Sequence, residues 1–253
     1  MFRCATAFGV LVFVIGAAAH AEGGKDGFTD EFPTEDCKFA TTGGNPYFLL
    51  RPGRQMIYDN DACMASGDCT DSSRLQITVL GETRDVVLVD DGIKHTITTR
   101  VIEEREWENG RLIERSRNYF AACGSGPMRD VYYFGEDVNV YEYAGGTVTV
   151  THPGEWLAGR KGAEPGIVMP GGAFLLGARY YQEIAPGVAL DRARHAAIGL
   201  TLKTEAGRFD DCVKVVETTP LEPGEQEFKI YCPNVGLTVD EDLVLKMIVD
   251  PGT

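Results

Sequence analysis

The chain has only four histidines and two tryptophans, and beyond its opening twenty residues no apolar run approaches the length of a membrane span. His95, His152 and His195 stand far apart, without the His-x-x-His, His-Glu-x-x-His or Cys-x-x-Cys spacing that places two ligands on one metal, so a zinc or non-haem iron centre is disfavoured. A Gly-x-Ser-x-Gly elbow is missing too, and Ser125, between Gly124 and Gly126, lacks the strand-to-helix setting a nucleophile needs. Basic residues are outnumbered, 24 against 38 acids, for a formal charge of -14. That balance argues against nucleic acid and anionic lipid, which need clustered Lys and Arg. With no internal repeat and no Ser/Pro-rich linker, a single folded unit is the simplest organisation.

What is present begins with MFRCATAFGVLVFVIGAAAHA, in which Arg3 precedes an apolar run from Ala7 to Ala19 and the triplet Ala19-His20-Ala21 closes the stretch. This is the layout of a secretory signal, with cleavage expected after Ala21 and the product exported to the periplasm or the cell exterior. The apolar run is short for a retained anchor, so no transmembrane anchor is expected. Cys4 precedes the run, so it leaves with the signal and is not the acylated cysteine of a lipoprotein. Loss of Arg3 makes the remaining charge -15. The expected layout is signal at 1–21, an N-terminal extension at 22–46 and one antiparallel β domain at 47–253.

Six cysteines remain, an even number that reads as a disulfide set in an exported chain. Cys63 and Cys69 close the short loop DACMASGDC. Cys212 and Cys232 lie on two strand-like runs joined by TTPLEPGEQ and can face each other across a hairpin. Cys37 and Cys123 pair by elimination. Cys123 has a second reading as a nucleophile, because it ends a strand and enters a Gly-rich turn whose N–H groups favour a thiolate, but its available partner favours the bridge.

From residue 47 onward, period-two alternation and turn punctuation dominate. Strands are expected at 47–50, 55–58, 75–80, 85–89, 96–107, 112–121, 131–134, 138–143, 147–151, 178–184, 196–203, 212–217, 227–232 and 243–249. Asp91-Gly92, Asn109-Gly110 and Gly145-Gly146 supply the positive backbone angles of tight hairpins. The fold class is all-β, a large curved antiparallel sheet or incomplete barrel. Residues 154–172, GEWLAGRKGAEPGIVMPGG, are dense in glycine and proline and read as a long ordered loop covering one face of it. ALDRARHAA at 189–197 is open between a strand edge and a short helical turn.

Two groups of acidic residues bear on chemistry. Glu136 and Asp137 follow three aromatics in YYFGEDV, where an apolar wall raises a carboxyl pKa and adjacent acids bind a cation; a turn capping a core strand is the plain alternative. Asp59, Asp61 and Asp68 cluster near the small Cys63–Cys69 ring, an oxygen-rich setting that calcium favours. It is not an EF-hand, because Met64 and Thr70 stand where the turn glycine and closing glutamate belong, and a solvated hairpin tip is the simpler reading. No other cofactor is expected.

The blocks YYFGED, GEWLAGRKGAEPGIVMP, ARYYQEIAPGVALDRA and FKIYCPNVGL together resemble a group of exported bacterial β-rich proteins of unassigned function, over residues 47–249. That group's pattern carries an Ala-Gln-Asp triplet where this chain has Ala121-Ala122-Cys123, so any role of that acid is lost here. More distantly, the closing tyrosine, proline and valine-glycine pattern resembles periplasmic half-barrel proteins related to lipoprotein carriers, which implies an apolar ligand held in a concave sheet.

These readings converge on an exported binding protein for a small hydrophobic or amphipathic molecule, lipid included. Trp156, Ile167, Met169, Phe174 and Tyr181 would line its pocket, with Glu136, Glu164, Glu183 and Asp191 as polar groups. The rival is a hydrolase or lyase, with or without a divalent cation, using Glu136 or Asp137 with Glu183 and Asp191 as acid and base. The third possibility is a structural or partner-binding surface module. Convergence of the four carboxylates in one cleft discriminates the first two.

Overall fold

The computed structural model describes residues 27–252 apart from 36, 91 and 127, so the expected signal and its cleavage point lie outside the described residues. In chain order the strands are β1 (Gly43–Asn45), β2 (Phe48–Leu50), β3 (Gln55–Asp59), β4 (Ser73–Asp90), β5 (Ile93–Glu108), β6 (Arg111–Cys123), β7 (Asp130–Ala144) and β8 (Thr147–Thr151). They continue with β9 (Trp156–Leu157), β10 (Glu164–Met169), β11 (Arg179–Tyr181), β12 (Glu183–Ile184), β13 (Arg192–Thr204), β14 (Gly207–Thr218), β15 (Glu227–Cys232), β16 (Gly236–Asp240) and β17 (Leu243–Val249). A single short helix, α1 (Asp61–Ser66), lies among the described residues, and no helix there is long and apolar enough to cross a membrane.

The fold is all-β, as alternation predicts. Its main sheet runs β11-β13-β14-β15-β16-β17-β3-β4-β5-β6-β7-β10-β12, with each pair antiparallel. The two ends of that list are neighbours in sequence, because β11 and β12 are separated by Gln182 alone. One extended stretch thus bonds to β13 through Arg179–Tyr181 and to β10 through Glu183–Ile184, drawing the sheet into a nearly closed barrel. Gln182 secures the seam by donating its backbone N–H to the Asp191 carbonyl at 2.7 Å. Closure removes the unpaired edges that an open sheet of this length would present.

Local chemistry explains the connections. Asn109 and Gly110 take φ of 49° and 77° between β5 and β6, the positive angles of a tight hairpin. Two pairs of expected strands merge through bulges: 75–80 with 85–89 in β4, where the register shifts between Val79 and Thr83, and 131–134 with 138–143 in β7. The 189–197 stretch resolves as extended chain entering β13 at Arg192. Residues 154–172, expected as a loop over the sheet, are ordered but belong to the sheet: β9 and β10 both pair with β7. Their glycines serve close approach, since a Cβ on Gly166 would stand 2.4 Å from the Gln182 carbonyl carbon.

All three expected cysteine pairs form disulfides. Cys212 and Cys232 continue the β14–β15 register as directly opposed residues, with Cα atoms 4.2 Å apart. The Cys37–Cys123 bridge ties the N-terminal extension to the end of β6, where Ala40 also pairs with Ala122. Cys123 is therefore a bridge, not a thiolate. Phe39 of the extension meets Tyr132 and Phe134 edge-on at 5.4 and 5.3 Å, covering the outer face of β7.

Candidate functional site inside the barrel

Strand parity decides which side chains enter the barrel. Along β7, Tyr132 and Phe134 pack outward against Phe39, whereas Tyr133 stacks on Phe120 at 4.6 Å and lines the interior. The ladder then slips: Tyr133 opposes Phe120 and Glu136 opposes Asn118, so Phe134 and Gly135 together face Tyr119. This bulge puts Glu136 on the same side as Tyr133 and turns Asp137 outward. Gly135 makes it possible, with φ of 137° and no room for a Cβ, which would lie 2.5 Å from the Trp156 carbonyl oxygen. Across the barrel, Val213, Val215 and Glu217 of β14 share a face with Lys229 and Tyr231 of β15, and Glu183 and Asp191 flank the closing seam.

These residues surround a cavity of about 80 Å³. Phe48, Met56, Ile77, Val79, Ile102 and Leu237 supply apolar wall; Glu104, Gln182, Glu183, Asp191, Glu217, Lys229 and Asp240 supply a polar one. A second cavity, about 180 Å³, is lined by Glu114, Glu136, Val138, Thr219 and Glu222, and shares Tyr133, Glu183 and Asp191 with the first. The Glu183–Asp191 pair therefore sits where the two cavities meet. Larger grooves of about 270 and 620 Å³ lie elsewhere, where half-buried Arg84 and Asp137 with exposed Lys161, and half-buried Thr34 with exposed Glu35 and His95, supply polar groups that face water.

Burial sets the electrostatics. Glu183 and Asp191 hydrogen-bond to each other, and desolvation followed by their mutual repulsion raises Glu183 well above the carboxylate range. Desolvation raises Asp191 also, opposed by its bond from Glu183, so the pair holds a shared proton, with Glu183 as donor. The other Glu183 oxygen, Oε2, is buried without a hydrogen-bond partner among the described residues. Burial likewise lifts Glu136, bonded to Tyr133, to about 7 and Glu104 to about 8. Glu217 is the exception: burial would raise it, but the adjoining Lys229 ammonium outweighs that and holds it at about 2. Gln182 Nε2 adds a hydrogen bond to Glu217 Oε1 at 2.9 Å. One wall is thus a buried ion pair and the next an acid pair that shares a proton.

Of the expected acid–base residues, Glu136, Glu183 and Asp191 come together. Asp137 does not: its Oδ2 accepts from Arg84 at 2.6 Å and from the Tyr119 hydroxyl at 2.5 Å on the outer face. The expected pocket lining is dispersed. Trp156 packs edge-on to Tyr133 at 5.2 Å beside an outer groove, Glu164 is exposed, and Ile167 is half-buried between the two apolar clusters. Met169 is wholly buried with Tyr180 and Val215, Phe174 stacks on His195 at 3.6 Å, and Tyr181 meets Phe28 at 6.1 Å. Val168, between two expected residues, lines the cavity instead. These corrections share a cause: treating 154–172 as a loop hides the strand parity that decides which of its side chains face inward.

Glu104, Gln182, Glu217, Lys229 and Asp240 escaped sequence reading. Their signal was a charged or amide residue on the inward phase of an alternating strand, as in Val213-x-Val215-x-Glu217 and Lys229-x-Tyr231. The acids weighed for calcium do not gather on one centre. Asp59 and Asp61 both bridge Lys246, at 2.5 and 2.8 Å, and Asp68 accepts from Ser66 Oγ at 2.7 Å. Asp242 lies within ligand distance of Cys63 and Cys69, but those sulfurs form a disulfide. His195 is a structural residue: its nitrogens meet the Leu175 carbonyl at 3.0 Å and the Tyr180 hydroxyl at 3.1 Å, and burial lowers its pKa.

The site therefore defines an all-β, barrel-like protein with carboxylates at its centre. No family model matches the chain, and neither a curated protein nor a solved structure shows significant similarity to it.

Proposed function

We propose that the protein is an exported binding protein, periplasmic or extracellular, that holds a small amphipathic molecule inside the barrel. The observation that carries this reading is the two-sided cavity, with Phe48, Met56, Ile77 and Leu237 on one side and the buried Glu183–Asp191 pair on the other. An apolar pocket with a few convergent polar groups of displaced pKa is the usual form of a ligand site. Three disulfides fit an oxidising compartment. The small volume favours a compact ligand or a short apolar chain over a full lipid.

A second reading rests on a separate observation. Glu183 and Asp191 are hydrogen-bonded to each other and both raised by burial, Glu183 the further, the kind of unequal carboxyl pair that general acid–base catalysis uses, and Glu136 lines the adjoining cavity. A hydrolase or lyase would place its scissile bond at this pair.

Native mass spectrometry of the protein purified from its own export route tests the binding reading. The expected result is a small-molecule adduct that is lost in a folded Leu237→Trp variant, whose indole fills the cavity that Leu237 lines. An adduct-free parent that is also unshifted in melting by a panel of amphipathic molecules overturns it. Chemical conversion of a panel member, abolished in Asp191→Asn, would assign the site to the acid–base reading instead.

A further inference from the structure

The polar wall discriminates among amphipathic ligands by charge. Five carboxyl side chains, Glu104, Glu183, Asp191, Glu217 and Asp240, line the first cavity, against one basic side chain, Lys229. Glu136 and Tyr133 on β7 face the same pair from the second cavity. Lys229 is already committed to Glu217 in a buried ion pair, so it offers little to a ligand's anion, which would also meet the acids around it. Glu183 is 4% exposed, and its Oε2 is buried and has no hydrogen-bond partner among the described residues. A buried carboxyl oxygen without a donor costs free energy until a donor arrives. Asp191, hydrogen-bonded to the same side chain, adds a second acceptor beside it.

We infer that the ligand's polar end is an ammonium group, received by Glu183 Oε2 and Asp191 while its apolar part lies along Phe48, Met56 and Ile77. An alkylammonium carries three N–H donors and no acceptor, which complements ionised carboxylates that only accept. On entry the ammonium replaces the proton shared by the pair: that proton leaves Glu183 for solvent, both carboxyls become anionic, and the charge of the site is unchanged. A neutral alcohol supplies one donor and leaves the proton in place. A bare divalent ion is a poorer match, since it asks for six or more oxygens and leaves the apolar wall unused.

This inference rests on the amphipathic-binding reading, and calorimetry on the full exported chain separates the two. The probes are hexylamine, hexanol and hexanoate, equal in chain length and different in charge. Hexylamine is expected to bind about tenfold or more tightly than hexanol, with hexanoate weakest, in line with the strength of charge-assisted hydrogen bonds. Glu183→Gln preserves shape and should remove that advantage, so that hexylamine binds no more tightly than hexanol, while the melting temperature stays near that of the parent. Equal binding of amine and alcohol, or preferred hexanoate, overturns the ammonium assignment and leaves amphipathic binding standing. Failure of all three to bind the parent overturns both. Calcium-dependent stabilisation of the parent that disappears in Glu183→Gln assigns the pair to a metal and likewise overturns the ammonium.

Discussion

Asp59, Asp61 and Asp68 lie around a solvated helix closed by a small disulfide ring, whereas Glu183, Asp191 and Glu217 lie inside the barrel. The outer acids stand close in sequence and find ordinary partners: Lys246 takes two of them and Ser66 the third. The inner acids are spread over residues 183–217: desolvation raises Glu183 and Asp191, which share a proton, while Lys229, helped by Gln182, holds Glu217 ionised. Density of acid along a chain is therefore a poor guide to acid chemistry. What matters is whether folding removes water from the carboxyl before supplying a counter-charge.

The largest effect that tests this contrast comes from the inner ion pair. Glu217→Ala strands the buried Lys229 ammonium and is expected to cost about 3–5 kcal/mol in urea unfolding. Glu217→Leu combined with Lys229→Met should cost much less than either single change, because no unpaired charge remains. A single variant as stable as the parent would show that water reaches the pair.

The next effect is the dependence on pH. A carboxyl held at about 8 in the folded state, as Glu104 is, takes up a proton on folding, so stability falls as pH rises from the ordinary carboxylate range toward 8. For one such group the loss is on the order of 3 kcal/mol, and Glu104→Gln should flatten that part of the profile. Glu217 acts with the opposite sign: its contribution is present above the ordinary carboxylate range and is lost as pH falls toward 2. Denaturation midpoints across the range resolve the two limbs, and a parent equally stable at pH 5 and pH 8 would remove the inner cluster from this comparison.

Smaller still is the bulge that selects Glu136 over Asp137. Gly135→Ala strains a positive φ and pushes β9 away, for an expected loss of about 1–3 kcal/mol in thermal unfolding. Carbon-detected NMR of the side-chain carboxyls should then find the Glu136 titration moved down from about 7. An unshifted titration would mean that Glu136 owes its environment to something other than the bulge. At the bottom of the scale, Asp61→Asn should leave the urea midpoint unchanged with or without excess calcium, because its partner Lys246 retains Asp59. A calcium-dependent shift lost in that variant would restore the outer loop as a cation site.

Period-two alternation, Asn-Gly and Gly-Gly turns and an even cysteine count were enough to establish the all-β class, most strands and all three disulfides. Each is a local property, or, for the cysteines, a matter of hairpin neighbours and elimination. The candidate site was legible in part. Glu136 stood out as an acid after aromatics, and Glu183 and Asp191 as polar groups of the expected pocket, whereas Glu217 and Lys229 lay unremarked in expected strands. Their importance depends on facing inward across a closed sheet, which local pattern does not reveal.

Tertiary structure alone decided the rest. Barrel closure through Gln182 joins β11 to β13 and β12 to β10, a meeting of distant strands that no local window contains. The bulge at Gly135 reverses the parity of β7, so Glu136 and not Asp137 enters the interior. Adjacent residues in an extended strand point to opposite faces, and a one-residue slip exchanges them. Sequence could therefore name both acids, but only the closed sheet, by assigning each a face and excluding water from one, could choose between them.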